Sequence, residues 1–237
     1  MIGALLLAAG SGSRMKGETE DKLLHPIGES NAFAKSCRAF LQVPEISIVS
    51  ITYRDDAQRT RLMTLWNQVT LSLQSNLEII WVKGGKERQD SVENGLLSFP
   101  EDVLHVLIHD CARPFIQPTT ISICANEILK DRAITIGRKL NDTLRQKIDH
   151  TDNPLHPGKT RTLDRSNLWL IETPQGAPRS WLLDGLKKSK IENINITDDM
   201  AAIELLGHPV GVLEPGYPNP KITTPEDFIY AKFLSQS

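Results

Sequence analysis

Near-continuous apolar runs recur along the chain, and stretches with the spacing of amphipathic helices lie between them. Apolar runs of this length are typical of strands that are buried on both faces of a parallel sheet. Seven such runs are present, at 3–9, 46–53, 77–82, 103–109, 133–136, 168–171 and 210–213. The alternation of strands and helices predicts an α/β fold in which helices flank a mostly parallel central sheet.

The first two helices are predicted from apolar residues that recur every three or four positions, at 33–41 and at 62–69. Asn31 precedes the first of them and is predicted to cap it, because its side chain can accept a hydrogen bond from a free N–H of the first turn. Pro118 and Thr119 are predicted to open a further helix, since proline is favoured at the first helical position.

The last helix is predicted to begin after Thr224, with Pro225 at its first position. We expect its apolar residues Phe228, Ile229 and Phe233 to pack on the sheet. In open α/β sheets, ligands bind beyond the carboxyl ends of the strands. Functional side chains are therefore expected just after strands.

Residues 138–165 interrupt this alternation with a polar, basic and turn-rich segment. A segment this long inside a compact domain is usually functional or an interaction arm. We predict a protruding β-arm within a single domain of residues 1–237, an extended hairpin that exchanges with a second subunit. The alternative interpretation is a surface loop.

Composition and charge narrow the class of protein. The 237 residues carry 27 Lys and Arg against 29 Asp and Glu, a net charge of −2. This balance argues against a polybasic protein that binds nucleic acid or a membrane surface, although it permits a local cationic pocket. Three scattered cysteines form neither a disulfide framework nor a metal knuckle, and the N-terminal apolar run is too short to span a membrane. A reducing, cytoplasmic location is expected.

The first strand leads directly into Gly10-Ser11-Gly12-Ser13-Arg14, and Lys22 follows. Two glycines let main-chain N–H groups approach an anion, which is how phosphates are held after a strand. The segment is not a dinucleotide-binding fingerprint, because the third glycine is absent. It is not a P-loop either, because it lacks the Gly-Lys-Ser/Thr triplet. The cations Arg14 and Lys22 favour a site for several phosphates over a simple turn.

Two later strands also end in polar clusters. Gly85 and Ser91 lie in a strand-to-helix turn that can approach a flat base, although a turn capped by Asp90 is the alternative. Asp110 ends a buried strand and is a candidate for binding hydroxyl groups or Mg²⁺, which prefers oxygen ligands. The alternative is an ion pair between Asp110 and Arg113 that only shapes the loop. His109 is interpreted as structural.

Together, these motifs resemble the 2-C-methyl-D-erythritol 4-phosphate cytidylyltransferase family of the non-mevalonate isoprenoid pathway. The resemblance covers nearly the full chain. It rests on LAAGSGSRM at 7–15 followed by Asp21-Lys22, GGKERQDSV at 84–92, HDCARP at 109–114, TPQ at 173–175, ITDD at 196–199 and KITTPED at 221–227.

The resemblance implies a Rossmann-like nucleotidyltransferase fold, transfer of a cytidylyl group from CTP to methylerythritol phosphate, Mg²⁺ as cofactor and a homodimer formed through the arm. The catalytic residues that it implies are Arg14, Lys22, Arg165 and Lys221. Those implied for the nucleotide are Ala8, Ala9, Gly10, Gly12, Gly85, Ser91 and Asp110. Those implied for the acceptor are Asp110, Arg113, Thr143, Arg165, Thr197 and Lys221, with Asp110 also a metal ligand.

The sequence departs from the family at Leu7 and Asp21, where proline is usual, at Lys86, where an acid is common, and at Cys111, where alanine is usual. We expect the loss of two prolines to make the first loop less rigid, and Asp21 to offset part of the charge of Lys22. Cys111 is either a reactive thiol or, as we favour, a buried inert one.

Three other functions are considered. A ribitol 5-phosphate cytidylyltransferase would differ only in its acceptor pocket. A sugar 1-phosphate nucleotidyltransferase using UTP or GTP is disfavoured by the matches at 84–91 and 221–227. A catalytically silent nucleotide-binding regulator would have less need for Arg14 and Lys22.

Overall fold

The structure is a computed structural model that describes residues 1–10, 21–148 and 158–236. Its strands are β1 (Ile2–Leu7), β2 (Pro26–Ile27), β3 (Ser30–Asn31), β4 (Ile46–Tyr53), β5 (Glu78–Lys83), β6 (His105–Asp110), β7 (Ala133–Lys139), β8 (Leu144–Lys147), β9 (Thr160–Leu163), β10 (Trp169–Pro178) and β11 (Val210–Leu213). Its helices are α1 (Ala32–Leu41), α2 (Asp56–Leu73), α3 (Arg88–Ser98), α4 (Pro118–Ile128), α5 (Arg179–Glu192), α6 (Asp199–Leu205) and α7 (Pro225–Leu234).

Seven of these strands form one sheet, in the order β11-β7-β10-β6-β1-β4-β5. Parallel pairs join β1 to β4 and β6, β4 to β5, and β7 to β11, which confirms the mostly parallel sheet. The edge strands β5 and β11 are only partly buried.

One strand corrects the sequence prediction. The run at 168–171 was expected to form a parallel strand, but it begins β10, which pairs antiparallel with both β6 and β7. No helix lies between β7 and β10 in the described chain. A parallel pair needs a crossover connection, whereas an antiparallel pair can be joined by a hairpin, so the chain returns in the opposite direction.

Alternate residues of β1 enter different cores, because successive side chains of a strand point to opposite faces. Ala4 and Leu6 belong to a core that also contains residues of α1, α2, α4 and α7. Leu5 belongs to a second core, with residues of α3, α5 and α6. Helices therefore cover both faces of the sheet, as predicted.

The predicted helix starts are confirmed. The side chain of Asn31 accepts a hydrogen bond from Ala34 N, and Pro118 is the first residue of α4. Thr224 caps α7, with Pro225 at its first position.

Only part of α7 packs as expected. Phe228 is buried, but Ile229 and Phe233 are 73% and 65% exposed. Phe228 and Ala231 are three positions apart and share the buried face of this helix. Ile229 and Phe233 are rotated away from that face by the helical period, so the prediction that they pack on the sheet was wrong.

The segment 138–165 contains a hairpin in its described part. β8 and β9 pair antiparallel, from Leu144 opposite Leu163 to Lys147 opposite Thr160, in a two-stranded sheet of their own. Residues 149–157 lie outside the described residues. The extended β-arm is therefore present, while its role in dimerisation and the single domain of residues 1–237 stay predictions.

Candidate active site

The parallel strands β1, β4, β5 and β6 end at one edge of the sheet, and two adjoining cavities open there. The large cavity, of about 520 Å³, is lined by residues that include Ala9, Gly10, Lys22, Gly85, Ser91 and Lys221. The small cavity, of about 300 Å³, is lined by residues that include Asp110, Arg113, Thr173 and Thr197. Arg88 and Lys221 line both cavities.

Positive charge dominates the large cavity. Among the described residues that line it, the charged ones are five cations and one carboxylate, namely Lys22, Arg54, Lys86, Arg88 and Lys221 against Glu87. A cleft lined by one sign of charge concentrates ions of the opposite sign. The large cavity is therefore suited to a polyanion.

Side chains from neighbouring elements fix the end of β1. Ala8 N donates to the hydroxyl of Thr52 at 3.1 Å, and the carbonyl of Ala8 accepts from Gln58 Nε2 at 3.0 Å. The predicted nucleotide residues Ala8, Ala9 and Gly10 follow β1 here. Gly12 and Arg14 lie outside the described residues.

Lys22 enters the large cavity from the segment that follows residues 11–20. Its ammonium donates to the carbonyl of Ile222 at 3.0 Å, which places Lys22 beside Lys221 in the lining of that cavity. The carboxylate of Asp21 was expected to offset the charge of Lys22. It lies against Gln58 Nε2 at 2.6 Å and Arg54 Nη1 at 3.5 Å, and its effect on the charge of Lys22 stays a prediction.

The turn between β5 and α3 is closed by its own hydrogen bonds. Gly85 N donates to Ser91 Oγ at 3.0 Å, and that hydroxyl donates to the carbonyl of Glu87 at 3.2 Å. A Cβ on Gly85 would lie 2.2 Å from Asp90 Cβ, so a larger residue cannot take this position without moving the turn. Asp90 also caps the helix start, through Glu87 N at 3.0 Å. The alternative of a turn capped by Asp90 is therefore confirmed, while the role of Gly85 and Ser91 in binding a base stays a prediction.

Asp110 is buried between two cations. Its Oδ1 accepts from Arg88 Nε at 3.2 Å and its Oδ2 from Lys221 Nζ at 2.5 Å. Burial alone raises the pKa of Asp110, but the charges of Arg88 and Lys221 outweigh it and hold the pKa well below its ordinary value. The alternative of an Asp110 to Arg113 ion pair was wrong, because Arg113 Nη1 lies 3.8 Å from Glu172 instead.

Asp199 is a second buried carboxylate at this edge, and sequence reasoning gave it no role. Arg88 binds it in a bidentate pair, with N···O distances of 3.0 and 2.8 Å. The acids Asp198 and Asp199 were visible in the sequence, and Asp198 accepts from Ala201 N as the cap of α6. The partner of Asp199 was not visible, because Arg88 lies 111 positions away.

The chain matches the family model described as 2-C-methyl-D-erythritol 4-phosphate cytidylyltransferase (IspD) over residues 2–237. The chain belongs to this family.

Curated relatives and solved structures agree with this assignment. A 2-C-methyl-D-erythritol 4-phosphate cytidylyltransferase of Synechococcus sp. (strain CC9902) is 36% identical over 98% of this chain and 97% of its own length. That of Prochlorococcus marinus (strain MIT 9313) is 34% identical, over 96% and 95%. The 4-diphosphocytidyl-2C-methyl-D-erythritol synthase of Anaerococcus prevotii DSM 20548 shares the fold, with a TM-score of 0.82 at 24% identity, over 100% of this chain and 96% of that one.

The predicted site residues that the structure of this cytidylyltransferase family member describes fall into two groups. Those that line the two cavities are Ala9, Gly10, Lys22, Gly85, Ser91, Asp110, Arg113, Thr197 and Lys221, while Ala8 is buried behind them and lines neither cavity. Thr143 and Arg165 are exposed on the arm, where Arg165 Nη1 donates to the carbonyl of Asn141, and they line neither cavity.

His109 and Cys111 have the structural roles that we expected. Nε2 of His109 lies 3.2 Å from the carbonyl of Arg113, and Nδ1 lies 3.0 Å from the hydroxyl of Thr173. Burial lowers the pKa of His109 to about 4. Burial also raises the pKa of the Cys111 thiol well above its ordinary value, which makes it inert at neutral pH.

Magnesium prefers oxygen ligands. The described residues contain no group of three or more His, Cys, Asp or Glu side chains that could hold a metal ion. Asp110 offers oxygen ligands, but both of its oxygens accept from cations. These two cations disfavour a further cation on Asp110, and its role as a metal ligand stays a prediction. A membrane-spanning helix is likewise not found in the described ranges, since none is both long and apolar enough.

Proposed function

We propose that this chain transfers the cytidylyl group of CTP to 2-C-methyl-D-erythritol 4-phosphate, giving 4-diphosphocytidyl-2-C-methyl-D-erythritol and pyrophosphate. Family membership supports the reaction. The observation that carries the proposal is the pair of adjoining cavities at one sheet edge, which share Arg88 and Lys221. Two phosphate-bearing substrates can meet at that boundary.

The reaction requires no general base. A phosphate oxygen of the acceptor attacks the α-phosphorus of CTP, a new P–O bond forms, and the bond to the β-phosphate oxygen breaks with its electron pair leaving on pyrophosphate. The second pKa of a phosphomonoester is about 6, so the nucleophile is already mostly a dianion at neutral pH. The obstacle is repulsion between two anions, which fixed cations reduce.

Different cations are assigned to the two substrates. Lys22 and Arg14 are assigned to the phosphates of CTP, where negative charge develops on the oxygens of the transition state. The contact of Lys22 with Ile222 supports this assignment, because it places the ammonium in the large cavity beside Lys221. Lys221, at the boundary, is assigned to aligning the attacking phosphate.

The remaining groups hold the two substrates. The main chain at Ala8, Ala9, Gly10 and Gly12 is assigned to the triphosphate, and Gly85 with Ser91 to the cytosine. Asp110 orients Lys221 and Arg88 and can accept from a substrate hydroxyl. Arg113 and Thr197 are assigned to the acceptor in the small cavity.

Magnesium is proposed to enter bound to the phosphates of CTP, where it would neutralise charge on the leaving pyrophosphate. The contacts of Asp110 support this route, because the charges of Arg88 and Lys221 beside it disfavour a further cation at this carboxylate. The cytoplasmic location stays a prediction of the sequence.

A homodimer is proposed, in which the arm of one chain supplies Arg165 and Thr143 to the small cavity of the other. The charge of the small cavity supports this arrangement. Its lining contains three cations and three carboxylates, namely Arg88, Arg113 and Lys221 with Asp110, Glu172 and Asp198. A phosphate dianion is bound more strongly when a further cation is added, and Arg165 is exposed on the arm.

The test is pyrophosphate release with CTP, UTP, GTP and ATP, each combined with methylerythritol phosphate, ribitol 5-phosphate and a sugar 1-phosphate. We expect clear preference for CTP with methylerythritol phosphate. Preference for another pair would overturn the proposed substrates. Tight CTP binding without turnover on any acceptor would support a silent regulator instead.

A further inference from the structure

A buried carboxylate lies immediately before Lys22 and is not used in the proposed chemistry. The side chain of Asp21 is only 3% exposed. Burying a charged group is costly unless hydrogen bonds or opposite charges compensate it. The contacts of Asp21 therefore indicate what holds it in place.

Both oxygens of Asp21 accept hydrogen bonds. Oδ1 accepts from Leu23 N at 3.0 Å, which spans the backbone of Lys22. Oδ2 accepts from Gln58 Nε2 at 2.6 Å, and Arg54 Nη1 lies 3.5 Å from the same oxygen. The side chain thus fixes the main chain on both sides of Lys22 and ties it to α2.

Gln58 links Asp21 to the end of β1 through hydrogen bonds. It is 2% exposed, and its Oε1 accepts from Arg54 N at 2.7 Å. Its Nε2 donates both to Asp21 and to the carbonyl of Ala8, at 2.6 and 3.0 Å. One amide group therefore bridges the segment that leaves β1 and the segment that carries Lys22.

We propose that Asp21 and Gln58 are a positioning pair that sets the main chain of Lys22 at a fixed distance from the end of β1. Lys22 is then held at both ends, its backbone by this pair and its ammonium by Ile222. The proposal rests on the proposed function, because it assumes that Lys22 meets the reacting phosphates. Neither Asp21 nor Gln58 is among the residues that line the cavities, so the pair acts through Lys22.

The first test is Gln58→Glu, which changes one amide to a carboxylate of the same shape. It replaces the donor to Asp21 by a second negative charge and removes the donor to Ala8. We expect kcat to fall about 10- to 100-fold, because a misplaced cation loses much of its effect on the transition state. The KM for CTP should change less than about threefold, since other lining groups also bind the nucleotide.

Gln68→Glu is the matched control, because Gln68 is exposed on the same helix. It makes the same change of charge away from Asp21, and we expect wild-type kcat. Thermal unfolding of both variants separates positioning from a loss of fold. A purely structural role would lower the melting temperature of Gln58→Glu and leave kcat per folded molecule unchanged.

The second test adds Asp21→Asn to Gln58→Glu. The asparagine oxygen can accept from Leu23 N while its amide donates to the new carboxylate, so the donor and acceptor exchange places. Asp21→Asn alone cannot satisfy both donors, because an amide accepts on one oxygen only. We expect the double variant to regain at least about fivefold in kcat over Gln58→Glu, by coupling of neighbouring groups.

Hydrogen exchange of the peptide that contains Leu23 provides a measurement that needs no turnover. Exchange should be faster in Gln58→Glu than in wild type and in Gln68→Glu, and slower again in the double variant. The proposed role of the pair would be overturned if Gln58→Glu showed the exchange rate or the kcat of wild type. It would also be overturned if the kcat of the double variant were no higher than that of Gln58→Glu. A wild-type enzyme that releases no pyrophosphate would overturn the proposed function, while the exchange result would still decide the pair.

Discussion

The protonation state of a titratable side chain depends on its hydrogen-bond partners in the fold, and His109 is an example. Its Nε2 lies against a carbonyl, which can only accept, so Nε2 carries the proton. Thr173 Oγ1 accepts from Asp110 N at 3.1 Å and can donate its own proton to Nδ1. This chain of hydrogen bonds fits a neutral imidazole, and it joins β6 to β10 beside Asp110.

The stability of the protein is expected to fall between pH 7 and pH 4.5 because of His109. The folded-state pKa of about 4 is below the ordinary value of 6.5, so the unfolded chain binds more protons in this interval. The contribution is fully present above pH 6.5 and is lost as the pH falls towards 4. The expected loss is about 2–3 kcal/mol of unfolding free energy.

Urea unfolding at a series of pH values would measure this loss, with His109→Gln as the comparison. Glutamine does not titrate, so the variant should be less stable at pH 7 but lose less stability on acidification. An equally steep pH dependence in His109→Gln would show that other groups cause it.

Lys22→Ala should leave the fold intact and slow turnover about 10²- to 10³-fold, by analogy with the loss of one preorganised group that stabilises an oxyanion. Pyrophosphate release and thermal unfolding are the measurements. Lys187→Ala removes an exposed lysine from α5 and serves as the control, with wild-type activity expected. Near-normal turnover in Lys22→Ala would reject the role assigned to Lys22.

At the scale of elements, α6 and its cap Asp198 position one wall of the small cavity, which we assign to the acceptor. Gln175 of β10 holds the start of α6, because Asp199 N donates to Gln175 Oε1 and Gln175 Nε2 donates to Asp198, both at 2.9 Å. α5 packs on α6 at Gly185, where a Cβ would lie 2.3 Å from the carbonyl oxygen of Ala202. The close approach of these two helices therefore depends on a glycine.

Gly185→Ala should weaken acceptor binding more than nucleotide binding. The added methyl group has to displace α6, and such overpacking typically costs about 1–3 kcal/mol of stability. We expect the KM for the acceptor to rise about tenfold, because Asp199 and its neighbours move, and the KM for CTP to change much less. Steady-state kinetics with each substrate varied would measure both.

Gly211→Ala is the control for this substitution. Its Cβ would meet only Ala133 O, at an ordinary contact distance of 3.7 Å. Equal effects of Gly185→Ala on both KM values would contradict a specific role of α6 in acceptor binding.

For the whole molecule, the proposed dimer divides each site between two chains. Dimers in which both chains carry Lys22→Ala, or both carry Arg165→Ala, should turn over slowly. In a mixed dimer, with one chain of each variant, one site combines an intact Lys22 with an intact Arg165 from the other chain, while the other site lacks both. Random mixing should restore about one quarter of wild-type activity, because half of the dimers are mixed and each has one intact site.

A mixture of Lys22→Ala with Lys221→Ala is the matched control, because both residues line the cavity of the same chain. Mixed dimers of this pair contain no intact site, so activity should not recover. Light scattering would establish the dimer itself. Failure of the Lys22→Ala and Arg165→Ala mixture to recover would place the whole site within one chain.

The α/β architecture could be predicted from the sequence, because continuous apolar runs indicate buried strands and apolar residues at helical spacing indicate the helices that cover the sheet. The direction of β10 could not, since an apolar run is the same for parallel and antiparallel strands. Lys22, Asp110 and Lys221 were found because they belong to motifs near the ends of strands or loops. Gln58 was missed, because a buried glutamine on a helix looks like any other polar residue until its partners are known.

β7 and β10 pair as far as Lys139 opposite Trp169, and the chain between them forms the ribbon of β8 and β9. The same β10 carries Glu172 and Thr173 in the wall of the small cavity. Residues 140–143 and 164–168, which belong to neither sheet, join the ribbon to these two strands, so a displacement of the ribbon would reach that wall only through these short links. In the proposed dimer, these links would let the ribbon adjust to the partner subunit while the wall of the small cavity keeps its place.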